Sequence, residues 1–125
     1  MERLRKRADF VAAAGGIKVP AATFVLQARD RKDHGPVRVG FTVSKKVGNA
    51  VERNRVRRRL REVVRLKSAD ALPAGHDYVL IGRRTALSAE FSQLTADYER
   101  ALARLVTPKS RPKQADKNGQ PASRT

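Results

Sequence analysis

The stretch from Asn49 to Lys67 constrains this chain most, because as a helix it has one apolar side and leaves the other crowded with like charge. On a helical wheel at about 100° per residue, Val56, Leu60, Val63 and Val64 fall within roughly 100° of one another and form a core-facing stripe. Arg57, Arg61, Asn54, Arg65 and Arg58 follow in angular order on the adjacent flank. Arg53 lies at the edge of the stripe but in the first turn, where its head is expected to reach outward; Arg55 and Arg59 point the other way. Asn49 is a good N-cap, and Glu52 three residues on completes a capping-box pair. Arg53, Arg57, Arg61 and Arg65 succeed one another at i,i+4 with no acid among them, and like charges at that spacing destabilise a helix. A merely solvated face intersperses acids with bases; here only Glu52 and Glu62 are at hand. The repulsion is tolerable if phosphates relieve it. Arginine suits that role because its fork bonds phosphate oxygens in pairs and also stacks on bases. Both modes are rewarded by the splayed bases and irregular backbone of RNA. Asn54 adds an amide able to bond a base edge, a phosphate or a hydrated metal ion.

The rest of the chain agrees with a polyanionic partner. Its 125 residues carry 28 Lys and Arg against 12 Asp and Glu, a formal net charge of +16, and so small a domain repels itself unless something anionic is bound. Phosphate backbones fit best, since each one neutralised also releases condensed counterions. A membrane surface is the competing polyanion, but it requires a wide apolar helix face that no segment offers. No apolar run approaches the roughly eighteen residues of a membrane span. After the basic Met1–Arg7, the apolar Phe10–Ala14 is too short for a signal sequence, so a cytoplasmic location is expected. With no cysteine, disulfides and thiolate metal sites are excluded. His34 and His76 lie far apart beside glycines and read as solvated loop residues, so no metal site on the protein is expected. No Ser/His/Asp or Cys/His arrangement, HExxH or glycine-rich phosphate loop occurs, and the acids are scattered. No catalytic residue is assigned to this chain.

The order of elements predicts one α+β domain over residues 1–107, α-β-β-β-α-β-α, a small mixed sheet packed by helices. Met1–Arg7 reads as a loosely held basic arm. A short helix over Ala8–Ala14 stops at Gly15-Gly16, followed by a short strand at Ile17–Val19 and another over Ala21–Arg29. After the DRKDHGP turn, Val37, Val39, Phe41 and Val43 alternate with Arg38, Gly40, Thr42 and Ser44, the period of a half-buried strand; it is expected to form a hairpin with its predecessor. Asp77–Arg83 reads as a central strand. Ser88 is expected to cap a last helix through Phe91, Leu94, Tyr98, Leu102 and Leu105. Residues 108–125 contain no large apolar side chain and are expected to be a disordered basic tail. Phe10, with the strand around Phe24 and the outer side of Val37–Ser44, suggests a groove for single-stranded RNA, although a lone Phe on a short helix is more often core.

The run Ser44-Lys45-Lys46-Val47-Gly48-Asn49-Ala50-Val51-Glu52-Arg53-Asn54-Arg55-Val56-Arg57-Arg58 resembles the hallmark stretch of the bacterial ribonuclease P protein subunit, with Arg53-Asn54-Arg55 as its Arg-Asn-Arg element. Arg3-Leu4, Asp9-Phe10 and Arg38-Val39-Gly40 extend the likeness over Arg3–Val106. The resemblance implies a sheet with a left-handed crossover around the arginine helix. It also implies a holoenzyme that removes the 5′ leader of precursor tRNA by chemistry residing in a large RNA subunit with bound Mg²⁺. Arg53, Asn54, Arg55, Arg57 and Arg58, with Lys45 and Lys46 beside them, take the RNA-contacting role; Arg61 and Arg65 continue their strip. Phe10 matches an aromatic of the leader cleft, with Phe24 and Gln27 on the neighbouring strand. Ala14 and Gln27 stand where the family has further cleft aromatics. Ribonuclease P RNA and precursor tRNA are the implied partners, with no obligate protein partner. A structural ribosomal protein is the alternative that explains charge and size equally well. A DNA-architectural protein and an autonomous nuclease fit less well.

Overall fold

The computed structural model describes residues 2–67 and 72–106; the expected tail at 108–125 and positions 68–71 lie outside them. Eight regular elements follow in chain order: β1 (Glu2–Arg3), α1 (Arg7–Ala14), β2 (Ile17–Pro20), β3 (Phe24–Asp30), β4 (Arg38–Thr42), α2 (Ala50–Lys67), β5 (His76–Gly82) and α3 (Phe91–Val106). Two 3-10 turns, Lys45–Val47 and Arg84–Leu87, precede α2 and α3. The strands form one mixed sheet in the order β1-β4-β5-β3-β2. β5 runs parallel to β4 and antiparallel to β3, and β1 runs parallel to β4.

Strand alternation assigns the faces. Phe24, Leu26 and Ala28 of β3, Val39 of β4 and Tyr78 and Leu80 of β5 join Val56, Leu60, Val63 and Val64 of α2 and Leu94, Tyr98 and Ala101 of α3 in the main core. Val79 and Ile81 face the other way and meet Leu4, Phe10 and Ala13. The sheet is therefore covered by α2 and α3 on one side and by the short α1 on the other. At Gly82 a Cβ would come within 2.5 Å of Val56 Cγ1, so that glycine is what lets α2 lie close to the central strand.

The α2 N-terminus forms as its sequence predicts. Glu52 N–H donates to Asn49 Oδ1 and Asn49 N–H donates to Glu52 Oε1, both at 2.9 Å, the reciprocal pair of a capping box. Asn49→Ala is expected to cost about 1 kcal/mol of stability, read as a lower midpoint in urea with an unchanged slope.

Several expectations are corrected. The basic arm is not loose: Glu2 and Leu4 N–H groups donate to Val37 and Val39 carbonyls at 2.8 and 2.9 Å, and Leu4 is buried. A buried leucine and an open strand edge together recruit the arm as β1. The strands β3 and β4 do not form a hairpin, because β5 lies between them; β3 instead pairs with β2, turning where Ala21 N–H donates to Phe24 O at 2.8 Å. β5, with Tyr78–Leu80 all buried, gains most from the central place. Ser88 closes the second 3-10 turn rather than capping α3, whose first turn is closed by Gln93 and Leu94 N–H donating to Glu90 O.

Candidate RNA interface

The strip on α2 is real, and its members differ in how free they are. Asn54, Arg58, Arg61 and Arg65 are exposed and Arg57 is half-buried. Arg57 donates to Asn54 Oδ1 at 2.7 Å, so the amide is oriented by the strip itself and turns its N–H₂ away. Arg61 lies over the Phe41 ring, its Cζ 5.8 Å from the centroid, within the range of a cation–π contact. Its pKa is lowered by burial first, and then by the charges of Arg3, Arg57 and Arg58. Those neighbours are all cationic, and like charges nearby disfavour the protonated guanidinium.

Other arginines of α2 serve the fold. The Arg53 head does not reach outward: Nη1 donates to Gly48 O, in the loop before the helix, at 2.7 Å. Arg65 is paired with Glu62, at 2.5 Å between Nη2 and Oε2, so the run of unneutralised charge is shorter than the i,i+4 pattern suggests. Arg59 donates to Ala86 O at 2.6 Å and Ala89 O at 2.5 Å, and burial lowers its pKa. Arg55, on the same side, approaches Leu87 O at 3.4 Å. Lys45 and Lys46 are exposed in the 3-10 turn that leads into α2, anchored by the buried Val47. That turn is held from the far side by Arg84, which donates to Val47 O.

On the opposite sheet face a groove runs beside α1. Phe10 and Gln27 line it with Val79, Ile81 and Thr42, and Arg5 and Arg7 stand at its rim. Phe10 is seated over Gly40, where a Cβ would lie 2.7 Å from ring atoms Cε1 and Cζ. Its neighbour Asp9 accepts from Arg38 at 3.2 Å, and Arg38 in turn grips buried Asp77 through two hydrogen bonds of 2.8 Å. This chain of charges fixes α1 against the sheet and so fixes Phe10. Phe24 is not part of the groove. It is fully buried on the helix side, its ring 6.4 Å from that of Tyr98, because residues 24, 26 and 28 alternate away from Gln27. Arg3, Arg5 and Arg7 were missed by the sequence reading. Their signal is a period of two around buried Leu4, which places Arg3 and Arg5 with Arg57 and Arg61 around one depression.

The family model for ribonuclease P matches residues 1–106. The chain belongs to the ribonuclease P protein family. Curated relatives named ribonuclease P protein component include one from Gluconacetobacter diazotrophicus, 52% identical over 101 residues and covering 80% of this chain and 87% of that one. Another, from Ruegeria pomeroyi, is 52% identical over 110 residues, covering 85% and 87%. Among solved structures, the ribonuclease P protein of Staphylococcus aureus superposes with a TM-score of 0.72 at 31% identity, covering 85% of this chain and 96% of that one. That of Thermotoga maritima gives 0.70 at 29%, covering 83% and 97%. As a ribonuclease P protein component, the chain is part of the endoribonuclease that processes tRNA 5′ ends. Among the described residues, no helix is long and apolar enough to cross a membrane, and no group of three or more His, Asp or Glu side chains is placed to hold a metal ion.

Proposed function

We propose that this ribonuclease P protein seats the catalytic RNA on the α2 strip and holds the 5′ leader of precursor tRNA in the groove beside α1, assisting Mg²⁺-dependent removal of the leader. The observation that carries this reading is the cluster of Arg3, Arg57, Arg58 and Arg61, whose mutual repulsion depresses the Arg61 pKa after burial. Phosphates are the ligands that relieve such a cluster, and each contact adds a counterion-release gain. Asn54 and Arg65 continue that surface along α2, and Lys45 and Lys46 are exposed in the turn that leads into the helix, whereas Arg53 and Arg55 are turned to Gly48 O and Leu87 O. In the groove, Phe10 offers a ring face for a leader base and Gln27 an amide, with Arg5 and Arg7 placed for the backbone; base stacking on one aromatic is worth about 1–3 kcal/mol.

Three acids among the described residues are already engaged and suit Mg²⁺ poorly. Asp9 and Asp77 are held by Arg38, and Asp97 by Thr23, Gln93 and Arg100. In this reading the metal ion rides on RNA phosphates, and the protein stabilises the RNA arrangement that holds it. The cytoplasm, where tRNA precursors are met, is the corresponding location.

The test is reconstitution. Added to a ribonuclease P RNA at low Mg²⁺, the chain is expected to restore cleavage of precursor tRNA at the mature 5′ end; no restoration at any protein concentration refutes the assignment. Phe10→Leu separates the groove from the strip. It removes the ring and keeps an apolar side chain against the sheet, so affinity for precursor tRNA is expected to fall about tenfold, while affinity for ribonuclease P RNA alone is unchanged. Equal affinity for precursor tRNA in both proteins would remove Phe10 from leader binding.

A further inference from the structure

A second depression lies on the helix side of the sheet, between β1 and α2. Its floor is apolar, made by Val39, Phe41 and Val64, and its rim carries Arg3, Arg61 and Arg65 with the Glu2 carboxylate. It exists because β1 is only two residues long and pairs with β4 no further than Val39. Phe41, two residues beyond, is therefore left half-buried at the sheet edge with Arg61 over its ring. We infer that this depression takes one unpaired RNA base, stacked against Phe41 and the flat of the Arg61 guanidinium, with the adjoining phosphates on Arg3 and Arg57.

Charge and shape together select that occupant. An apolar side chain or a lipid tail would cover the floor but leave the cationic rim uncompensated. A bare phosphate chain would satisfy the rim and leave the floor wet. A nucleotide presents a flat, weakly hydrated base and an anion a few ångströms apart, and arginine combines stacking with phosphate bonding where lysine does not. The exposed Arg61 guanidinium lies over the Phe41 ring and beside the charges of Arg3, Arg57 and Arg58, so an arriving phosphate relieves repulsion where the base gains contact. Phe41, at the sheet edge, also reaches the groove beside α1, but Val39, Val64, Arg3, Arg61 and Arg65 border this depression and not that groove. The inference rests on the RNA interface proposed above and adds a base-binding position to it.

The chain contains no tryptophan, so Phe41→Trp installs a single fluorescent reporter in the depression. On adding a ribonuclease P RNA its emission is expected to fall by roughly half through stacking, whereas inorganic polyphosphate, which has no bases, leaves it nearly unchanged. Phe41→Leu keeps an apolar side chain in the core and is expected to weaken binding of the same RNA about tenfold without altering the dependence on salt. Arg61→Lys, which keeps the charge, should behave in the same way. Quenching by polyphosphate equal to that by RNA, or wild-type affinity for Phe41→Leu, overturns the base seat while leaving the phosphate interface standing. Failure of the unaltered chain to bind the RNA at all would bring down both.

Discussion

A chain carrying Arg57→Gln and Arg58→Gln together is expected to bind ribonuclease P RNA roughly 25- to 60-fold more weakly near 0.1 M salt, with a slope of log affinity against log salt smaller by about 1.4–1.8. The magnitude follows from two phosphate contacts, each releasing 0.7–0.9 of a counterion equivalent. These two side chains suit the test because they stand on the solvent flank of α2, away from the buried stripe of Val56, Leu60, Val63 and Val64. Relieving like charge at that flank should leave thermal stability unchanged or slightly raised. Loss of affinity with an intact fold therefore reports on the interface. Unchanged affinity and an unchanged slope would mean that the strip faces water in the complex.

The second large effect concerns stability. Asp77→Asn is expected to destabilise the domain by about 3–5 kcal/mol, the range seen when one partner of a buried ion pair is removed. For a domain of this size that lowers the midpoint of thermal unfolding by roughly 15–30 °C. Asp77 has no exposed side-chain surface and accepts from Arg38 Nε and Nη2, both at 2.8 Å, and from Arg31 Nη1 at 2.5 Å. Burial acts to raise its pKa, but the hydrogen bonds from Arg38 and Arg31 and their positive charge outweigh it, leaving the value below the ordinary 3.8. A carboxylate whose folded pKa is depressed contributes stability that is fully present above its unfolded pKa and is lost as pH falls through the folded one. The unaltered chain should therefore lose stability below about pH 4, and the asparagine variant should show a flatter acid limb. Equal stability of the two proteins at neutral pH would show that Asp77 does not tie the sheet together. Because Arg38 also holds Asp9, the same variant is expected to loosen α1 and its Phe10.

Local chemistry made part of this architecture readable in advance. The start of α2 follows from Asn49 and Glu52, its buried stripe from the spacing of Val56, Leu60, Val63 and Val64, and the end of α1 from Gly15-Gly16; each is decided within a few residues. Pairing partners are another matter. That β5 inserts between β3 and β4 depends on which strand gains most from burial on both faces, a comparison across the whole chain that no local window contains. The same limit explains Phe24. Its strand was evident, but which of Phe24 and Gln27 faces the helices is set by a register that only the assembled sheet defines. In the interface, the arginine strip was legible because its spacing is helical. The roles of Arg53, Arg59 and Arg65 were not, since they depend on Gly48 O, Ala86 O and the Glu62 carboxylate being within reach. Arg3 and Arg5 join the surface only because β1 docks.

The central claim is that the charged flank of α2 lies against folded RNA. The chain has no cysteine, so one introduced at Val51, exposed one turn before Asn54 in α2, can carry a tethered reagent that cuts nearby RNA without removing any arginine. Val51→Cys is expected to give a few discrete cuts in a bound ribonuclease P RNA, while His34→Cys, in the turn between β3 and β4, gives none. Cutting from position 34 with silence from position 51 would contradict the account.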